Sequence, residues 1–222
     1  MIKLQKGNLR IPKWNRKVFA VAGGLVDYKK NCYDLKLEEQ VMVAFRQMLE
    51  TNDLKMSPVE IKGLINFIAC GEFSDHFQDQ LLCEAKICDY LGLDPLWNVG
   101  VKTGGATGGA TILSAAMGVA SGYADVALAV GWERMGEVDT RMGNYYISTA
   151  ACKDFETRLG RIYSSYYAPM AIRFAETYGL SEQTRAKIAV KNHLYAYCSP
   201  YSQQPGKYTI EEVLASPIST YP

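Results

Sequence analysis

The amino-acid sequence predicts an α/β fold: a mostly parallel sheet with helices on both faces, followed by a mainly helical second region. Three observations carry this reading. Short uninterrupted apolar runs, several closed by glycine, alternate along the first half of the chain with longer stretches of helical periodicity. That alternation of strand and helix implies parallel strands joined by right-handed crossovers. After Gly131 the composition then shifts to tyrosine, methionine and charge, which reads as an excursion from the sheet. The expected division is residues 1–131 for the α/β region and residues 132–222 for the helical one.

In chain order, Val18 to Leu25 (VFAVAGGL) is a short apolar run ending in glycines and is expected to be a buried strand. Leu37 to Leu49 repeats Leu37, Val41, Ala44, Phe45 and Met48 on one helical stripe. Leu64 to Cys70 (LINFIAC) is again continuously apolar, with Gly71 ending it. Gln78 to Leu91 places Leu81, Leu82, Ala85, Cys88 and Leu91 at helical spacing, and Gly92 follows where a left-handed cap belongs. Leu96 to Val101 is a strand candidate, a helix is expected from about Gly108 to Ser121 with Gly122 as its cap, and Asp125 to Val130 (DVALAV) reads as a strand buried on both faces. Further helices are expected at Tyr166 to Thr177 and Glu182 to Tyr197, with one more helical turn near Glu211.

The chain has 222 residues, 24 Lys plus Arg and 23 Asp plus Glu, for a net charge of +1. That balance gives no electrostatic reason to expect nucleic acid or an anionic membrane as partner. The longest uncharged stretch, Thr103 to Tyr123, is interrupted by glycines and is a poor membrane span. The apolar run from Val18 is too short and lies too far in for a secretory signal, so a cytoplasmic protein with a short basic leader is expected. The cysteines at 32, 70, 83, 88, 152 and 198 form no CxxC pair and no zinc spacing, and are expected to be reduced thiols. Asp75, His76 and Asp79 precede or open a helix, where acidic residues suit the dipole, and no metal is assigned to them.

The segment Val101 to Ala110 (VKTGGATGGA) puts four glycines between a strand and a helix. Such a junction lets a ligand approach the backbone, and the helix head offers free N–H groups and partial positive charge. The spacing of Gly104, Gly105, Gly108 and Gly109 fits neither the Walker pattern, which needs a lysine, nor G-x-G-x-x-G. Exposure of a nucleophile at the helix head is one remaining use, and tight helix packing is the other. Thr107, the hydroxyl between the glycines, is a candidate hydrogen-bond donor to substrate, but a Thr near a helix N-terminus more often caps the helix.

The run TGGATGGATILSAAMGVASGYADVALAVGWERM resembles the nucleophile segment of the thiolase superfamily: Ala120-Ser121-Gly122, Asp125 to Gly131 and Glu133-Arg134-Met135 match its later pieces. The resemblance is greatest to sterol-carrier-type and archaeal thiolases, which also share YYAPMAIRFAETYGLS and KNHLYAYCSPYSQQP, and it runs from Val18 to the last residue. It implies the N-terminal half of a layered thiolase-like fold followed by its loop domain. It also places Gly105 where these enzymes carry the acyl-accepting cysteine, with the C-terminal half, its histidine and its second cysteine absent from this chain.

What the resemblance implies is backbone chemistry: the N–H of Gly105 polarises a thioester carbonyl at the helix head. Thr107 and His193 are further catalytic candidates, although a polar structural role is the favoured reading of His193. Gly104, Tyr166, Tyr167 and Arg134 are the expected substrate contacts, the tyrosines as acyl-pocket walls and Arg134 toward the phosphates of coenzyme A. No covalently bound cofactor is expected; coenzyme A enters as part of the substrate. The implied activity is acyl transfer or retro-aldol cleavage at a carbon–carbon bond beside a CoA thioester, and the alternative is a non-catalytic scaffold completing a partner's site. Implied partners are acyl-CoA, a second thiolase-like chain in a homo- or hetero-oligomer, and a small OB-fold, zinc-binding protein.

Overall fold

A computed structural model describes residues 14, 16–29, 31–52 and 54–220. Among them, three strands form one parallel sheet in the order β2-β1-β3, with β1 at Ile65–Gly71, β2 at Trp97–Val101 and β3 at Val126–Gly131. The register pairs Gly71 with Val101 on one side and with Gly131 on the other, so all three strands end level. This is the α/β, helix-covered sheet that the alternation of apolar runs predicts.

Helices cover both faces of the sheet. On one face Ile65, Ile68, Cys70 and Leu128 join a core with Leu37, Val41, Phe45 and Leu49 of α1 (Leu37–Glu50) and Cys83, Ile87 and Cys88 of α3 (Cys83–Tyr90). The four α1 residues recur at every fourth position, which keeps them on one stripe. A short helix, α2 (Pro58–Leu64), leads directly into β1; Ser57 and Glu60 cap it reciprocally, with Pro58 at its first position. The sequence reading began at Leu64 and missed it.

On the other face α4 (Thr107–Ser121) packs against all three strands. Contact is close because small residues meet: a Cβ on Gly118 would stand 3.0 Å from the Phe67 ring, and one on Gly71 would collide with Thr111. Thr107, Thr111, Ala115, Gly118 and Ala120 are buried, whereas Ile112, Leu113 and Met117 face outward. Gly122 ends α4 with φ of 84°, the left-handed cap its position predicts.

Three expectations are corrected. Val18 to Leu25 forms no ladder among the described residues; Phe19 is 73% exposed. The segment is tethered instead by Arg16 to Asp125 at 2.7 Å and by the Leu25 N–H to Gln47 Oε1 at 2.7 Å, with Gly24 pressed on the α1 backbone at Ala44. The helix read from Gln78 begins only at Cys83, because Asp79 and Leu82 take φ of 48° and 56° and break the helical ladder, leaving Leu81 and Leu82 exposed. Lastly, β3 is an edge strand with Ala129 exposed rather than a strand buried on both faces.

After β3 the described chain is helical: α5 (Thr140–Ser148), α6 (Tyr163–Tyr178), α7 (Glu182–Tyr197) and α8 (Ile210–Leu214). Here α5 packs on the turn at Asp75–Phe77, α6 on α5, and α7 on α8. Asp139 caps α5 by accepting from the N–H groups of Arg141 and Met142; this helix was not foreseen in the sequence. The expected leader lies almost wholly outside the described residues.

Ile68 is 1% exposed at the centre of the sheet, and Val59 is 80% exposed on α2. Chemical denaturation should show Ile68→Ala losing about 2–5 kcal/mol, while Val59→Ala stays within about 0.5 kcal/mol of wild type.

Candidate functional site

The level ends of the parallel strands set the site, since ligands of such sheets bind outside the carboxyl ends of the strands. The chain leaves β2 through Lys102 and Thr103 into a short 3₁₀ turn, Gly104–Ala106, that runs straight into α4. Gly104 has φ of 62°, a left-handed conformation that suits glycine. Gly105 is different: it is exposed, its φ is ordinary, and a Cβ there would meet nothing within 4 Å. The first bond of the turn is Ala106 N–H to the Thr103 carbonyl, so the Gly105 N–H precedes it and has no acceptor among the described residues. An oxygen bearing negative charge would find a donor there, at the head of a fifteen-residue helix.

Thr107 is buried and its hydroxyl is committed to the turn: it accepts from the Thr103 N–H at 3.0 Å and donates to the Gly104 carbonyl at 2.8 Å. Both bonds run back into the turn and neither to an N–H of α4, whose N-cap is Ala106 with no side-chain cap hydrogen bond, so Thr107 ties the turn rather than capping the helix as expected. Behind it, the Thr111 hydroxyl donates to the Thr107 carbonyl at 2.8 Å.

A polar network that sequence reading did not single out lies just beyond the strand ends. Continuing the register by one residue sets Glu72 between Lys102 and Trp132, and the contacts follow. The Trp132 indole N–H donates to Glu72 Oε2 at 2.9 Å, and Lys102 Nζ lies 3.2 Å from Glu72 Oε1 while also meeting Asp75. The Glu72 side chain is 2% exposed. Burial, with the neighbouring Asp75 adding to it, pushes its carboxyl up to about 7. The hydrogen bond from Glu72 holds Asp75 below the usual carboxylate range. Burial pulls the Lys102 ammonium down, but its two carboxyl partners more than reverse that and leave it raised. Next in the chain, Glu133 accepts from the Phe73 N–H at 2.7 Å and from Gln78 Nε2 at 3.3 Å, with burial raising its pKa.

The remaining sequence candidates lie elsewhere. Arg134 is a structural brace rather than a free cation: it donates to Glu137 at 2.6 Å and to the carbonyls of Leu35 at 2.9 Å and Cys32 at 3.3 Å. It does border an open cavity of about 510 Å³ that also presents Lys36 and Lys86. His193, on α7, donates from Nδ1 to the Gln204 carbonyl at 3.0 Å and meets the Tyr208 ring edge-on, with no hydrogen bond to the glycine turn among the described residues. Tyr166 and Tyr167 meet edge-on with centroids 5.2 Å apart and are partly exposed on α6. The tyrosine that reaches the strand-end region is Tyr146, whose ring is 5.0 Å from His76 and 5.5 Å from Phe77.

Two outcomes follow for stability measured in denaturant. Gly104→Ala should cost about 1–2 kcal/mol from its left-handed backbone, whereas Gly105→Ala should be neutral or slightly stabilising. Because folding raises the Glu72 pKa above the ordinary 4.5, its favourable state is the protonated one, fully present below pH 4.5 and lost as pH rises through about 7. The stability of wild type relative to Glu72→Gln should therefore decline across that window, by on the order of 2–3 kcal/mol at most.

Residues 25–210 match the thiolase N-terminal domain. The chain is 36% identical over 185 residues to an acetyl-CoA acetyltransferase of Methanothermobacter thermautotrophicus, covering 81% of this chain and 47% of the relative. It is 27% identical over 209 residues to sterol carrier protein 2 of Gallus gallus (90% and 37% covered). It is also 32% identical over 142 residues to the benzoylsuccinyl-CoA thiolase subunit BbsB of Thauera aromatica (64% and 35% covered). The chain thus spans about half or less of the length of these curated relatives. With a parallel sheet, a glycine-rich turn at its carboxyl end and a match across most of its residues, this chain belongs to the thiolase family, through that family's N-terminal domain.

Proposed function

We propose that this protein is a thiolase-like acyl-CoA enzyme, or a subunit of one, that acts at the carbon–carbon bond beside a CoA thioester without a cysteine nucleophile of its own. The observation that carries this reading is the Gly105 N–H: exposed at the head of α4, free of an acceptor among the described residues, and in the position that the family resemblance gives to the cysteine. A donor of this kind, aimed at a developing oxyanion, is worth on the order of 3 kcal/mol in the transition state.

The chemistry that suits such a site is retro-aldol cleavage. A base removes the proton of the 3-hydroxyl group, the C2–C3 bond breaks to leave an aldehyde or ketone, and the electron pair moves onto the thioester carbonyl. The resulting enolate oxygen is held by the Gly105 N–H and C2 then takes a proton, giving the shortened acyl-CoA. Thr107 serves by fixing the turn through its two hydrogen bonds. In this reading coenzyme A is part of the substrate, and at the open cavity beside Arg134 the cation offered to its phosphates is Lys36, since Lys86 there is held by Glu38 at 2.9 Å. The protein works as part of a homo- or hetero-oligomer with a thiolase-like chain, joined by a small OB-fold, zinc-binding protein.

A second reading is a scaffold that completes a partner's active site. It is favoured by the similarity to a chain whose name is that of a thiolase subunit.

Incubation with a 3-hydroxyacyl-CoA should release an aldehyde or ketone, and a 3-oxoacyl-CoA plus CoA should give no thiolysis. Thiolysis by the wild-type chain would overturn the claim that nucleophilic catalysis is absent. No turnover of either substrate, with a partner's activity that depends on this chain, would establish the scaffold instead. Since a side chain at Gly105 has open space, Gly105→Cys should fold normally, and mass spectrometry should detect acyl transfer to the new thiol if the surrounding site is complete.

A further inference from the structure

The chain entering α4 carries two consecutive glycines, and glycine gives the backbone more freedom than any other residue. The turn must therefore owe its geometry to whatever grips it on either side. Behind the glycines the grip is Thr107, which ties Thr103 and Gly104 into one ring of hydrogen bonds. Ahead of them stands Lys102, the first residue after β2. A lysine at a strand end ordinarily extends into water. This one turns back across the sheet, past the end of β1, and sets its ammonium between Glu72 and Asp75.

Glu72 is in turn fixed on its far side by the Trp132 indole, which comes from the end of β3. A second line runs parallel to the first: Glu133 holds the Phe73 N–H, and the Phe73 ring lies 3.9 Å from where a Cβ on Gly104 would stand. Burying a carboxyl such as Glu72 is costly unless it is paired. Here Glu72, Lys102 and Trp132 each follow a strand directly and Asp75 joins them from the turn Asp75–Phe77, so the group converges on the start of the glycine turn.

We propose that Lys102 is a positioning residue: its ammonium, docked between Glu72 and Asp75, sets the direction in which the chain leaves β2 and so holds the Gly104–Gly105 N–H groups in place at the head of α4. The use of those N–H groups on a thioester rests on the proposed function; the clamp itself does not.

The test uses the full chain carrying Lys102→Met, which keeps the aliphatic stem, and Lys102→Arg, which restores the charge. Amide hydrogen exchange is read residue by residue. Exchange at the two hydrogen-bonded amides of the turn, Thr103 and Ala106, should rise at least tenfold in Lys102→Met, return to within about threefold of wild type in Lys102→Arg, and stay unchanged in the amides of β1 and β3. Unchanged exchange at the turn would overturn the proposal. So would a rise spread evenly over the whole sheet, which would make Lys102 a contributor to global stability alone. Should Lys102→Met fail to fold, Asp75→Asn removes the partly exposed partner and must give the same localised rise. In turnover of 3-hydroxyacyl-CoA, Lys102→Met should lower kcat at least tenfold with KM little altered, and Lys102→Arg should recover it. Wild-type protein that turns over no 3-hydroxyacyl-CoA, yet shows the localised exchange response, would reject the functional reading and leave the clamp standing.

Discussion

The shared ending of three parallel strands is the constraint on which the rest of this structure depends. Gly71, Val101 and Gly131 lie side by side, so the residue after each strand emerges at the same height. Glu72 is flanked by Lys102 and Trp132 for that reason alone, and not because anything in their local sequence brings them together. A slip of one residue in either pairing would turn these side chains to the opposite face of the sheet. Such a slip would leave a buried carboxyl without its indole and its ammonium.

The register is itself secured by how the two faces are packed. On the α1 and α3 side, β1 presents Ile65, Ile68 and Cys70, large enough to fill a core with two helices. On the α4 side it presents Phe67, Ala69 and Gly71, and α4 answers with Gly118, Ala115, Thr111 and Thr107. Small residues meet small residues toward the strand ends. The helix head therefore comes close to the sheet just where the glycine turn must join them, and Thr107, already buried there, is positioned to close the turn with its hydroxyl.

Much of this was legible in the sequence. The runs at Leu64 to Cys70, Leu96 to Val101 and Asp125 to Val130 are strands because continuous apolar character bounded by glycine suits a covered sheet; α1, α4 and α7 follow from periodicity and capping residues. What could not be read are features set by tertiary context. Val18 to Leu25 has the composition of a strand but is held beside α1 by Leu25 to Gln47 and Arg16 to Asp125, with no ladder bonds among the described residues. Leu82 has the spacing of a helical core residue but sits in a left-handed turn. Within the site, the turn was visible from its glycines, whereas Glu72, Lys102 and Trp132 were not, since each is an ordinary residue until the register aligns them. The one usable signal was position: each lies within two residues of the end of a predicted strand, where α/β proteins build their sites.

The four glycines that mark the site turn out to have different causes. Gly104 has a left-handed backbone, so the chain's own geometry asks for glycine there. Gly105, Gly108 and Gly109 lie in ordinary conformations with nothing within 4 Å of where a side chain would begin. Alanine at any of these three would be tolerated locally and would favour the helix by up to about 1 kcal/mol per site. The described fold therefore gives no internal reason for them. What they do is leave the head of α4 bare, with the Gly105 N–H uncovered beside a turn whose entry is held by Lys102 and whose exit is held by Thr107. That division, one glycine for the backbone and three for the open surface, separates the part of the site that shapes the turn from the part that meets what approaches it.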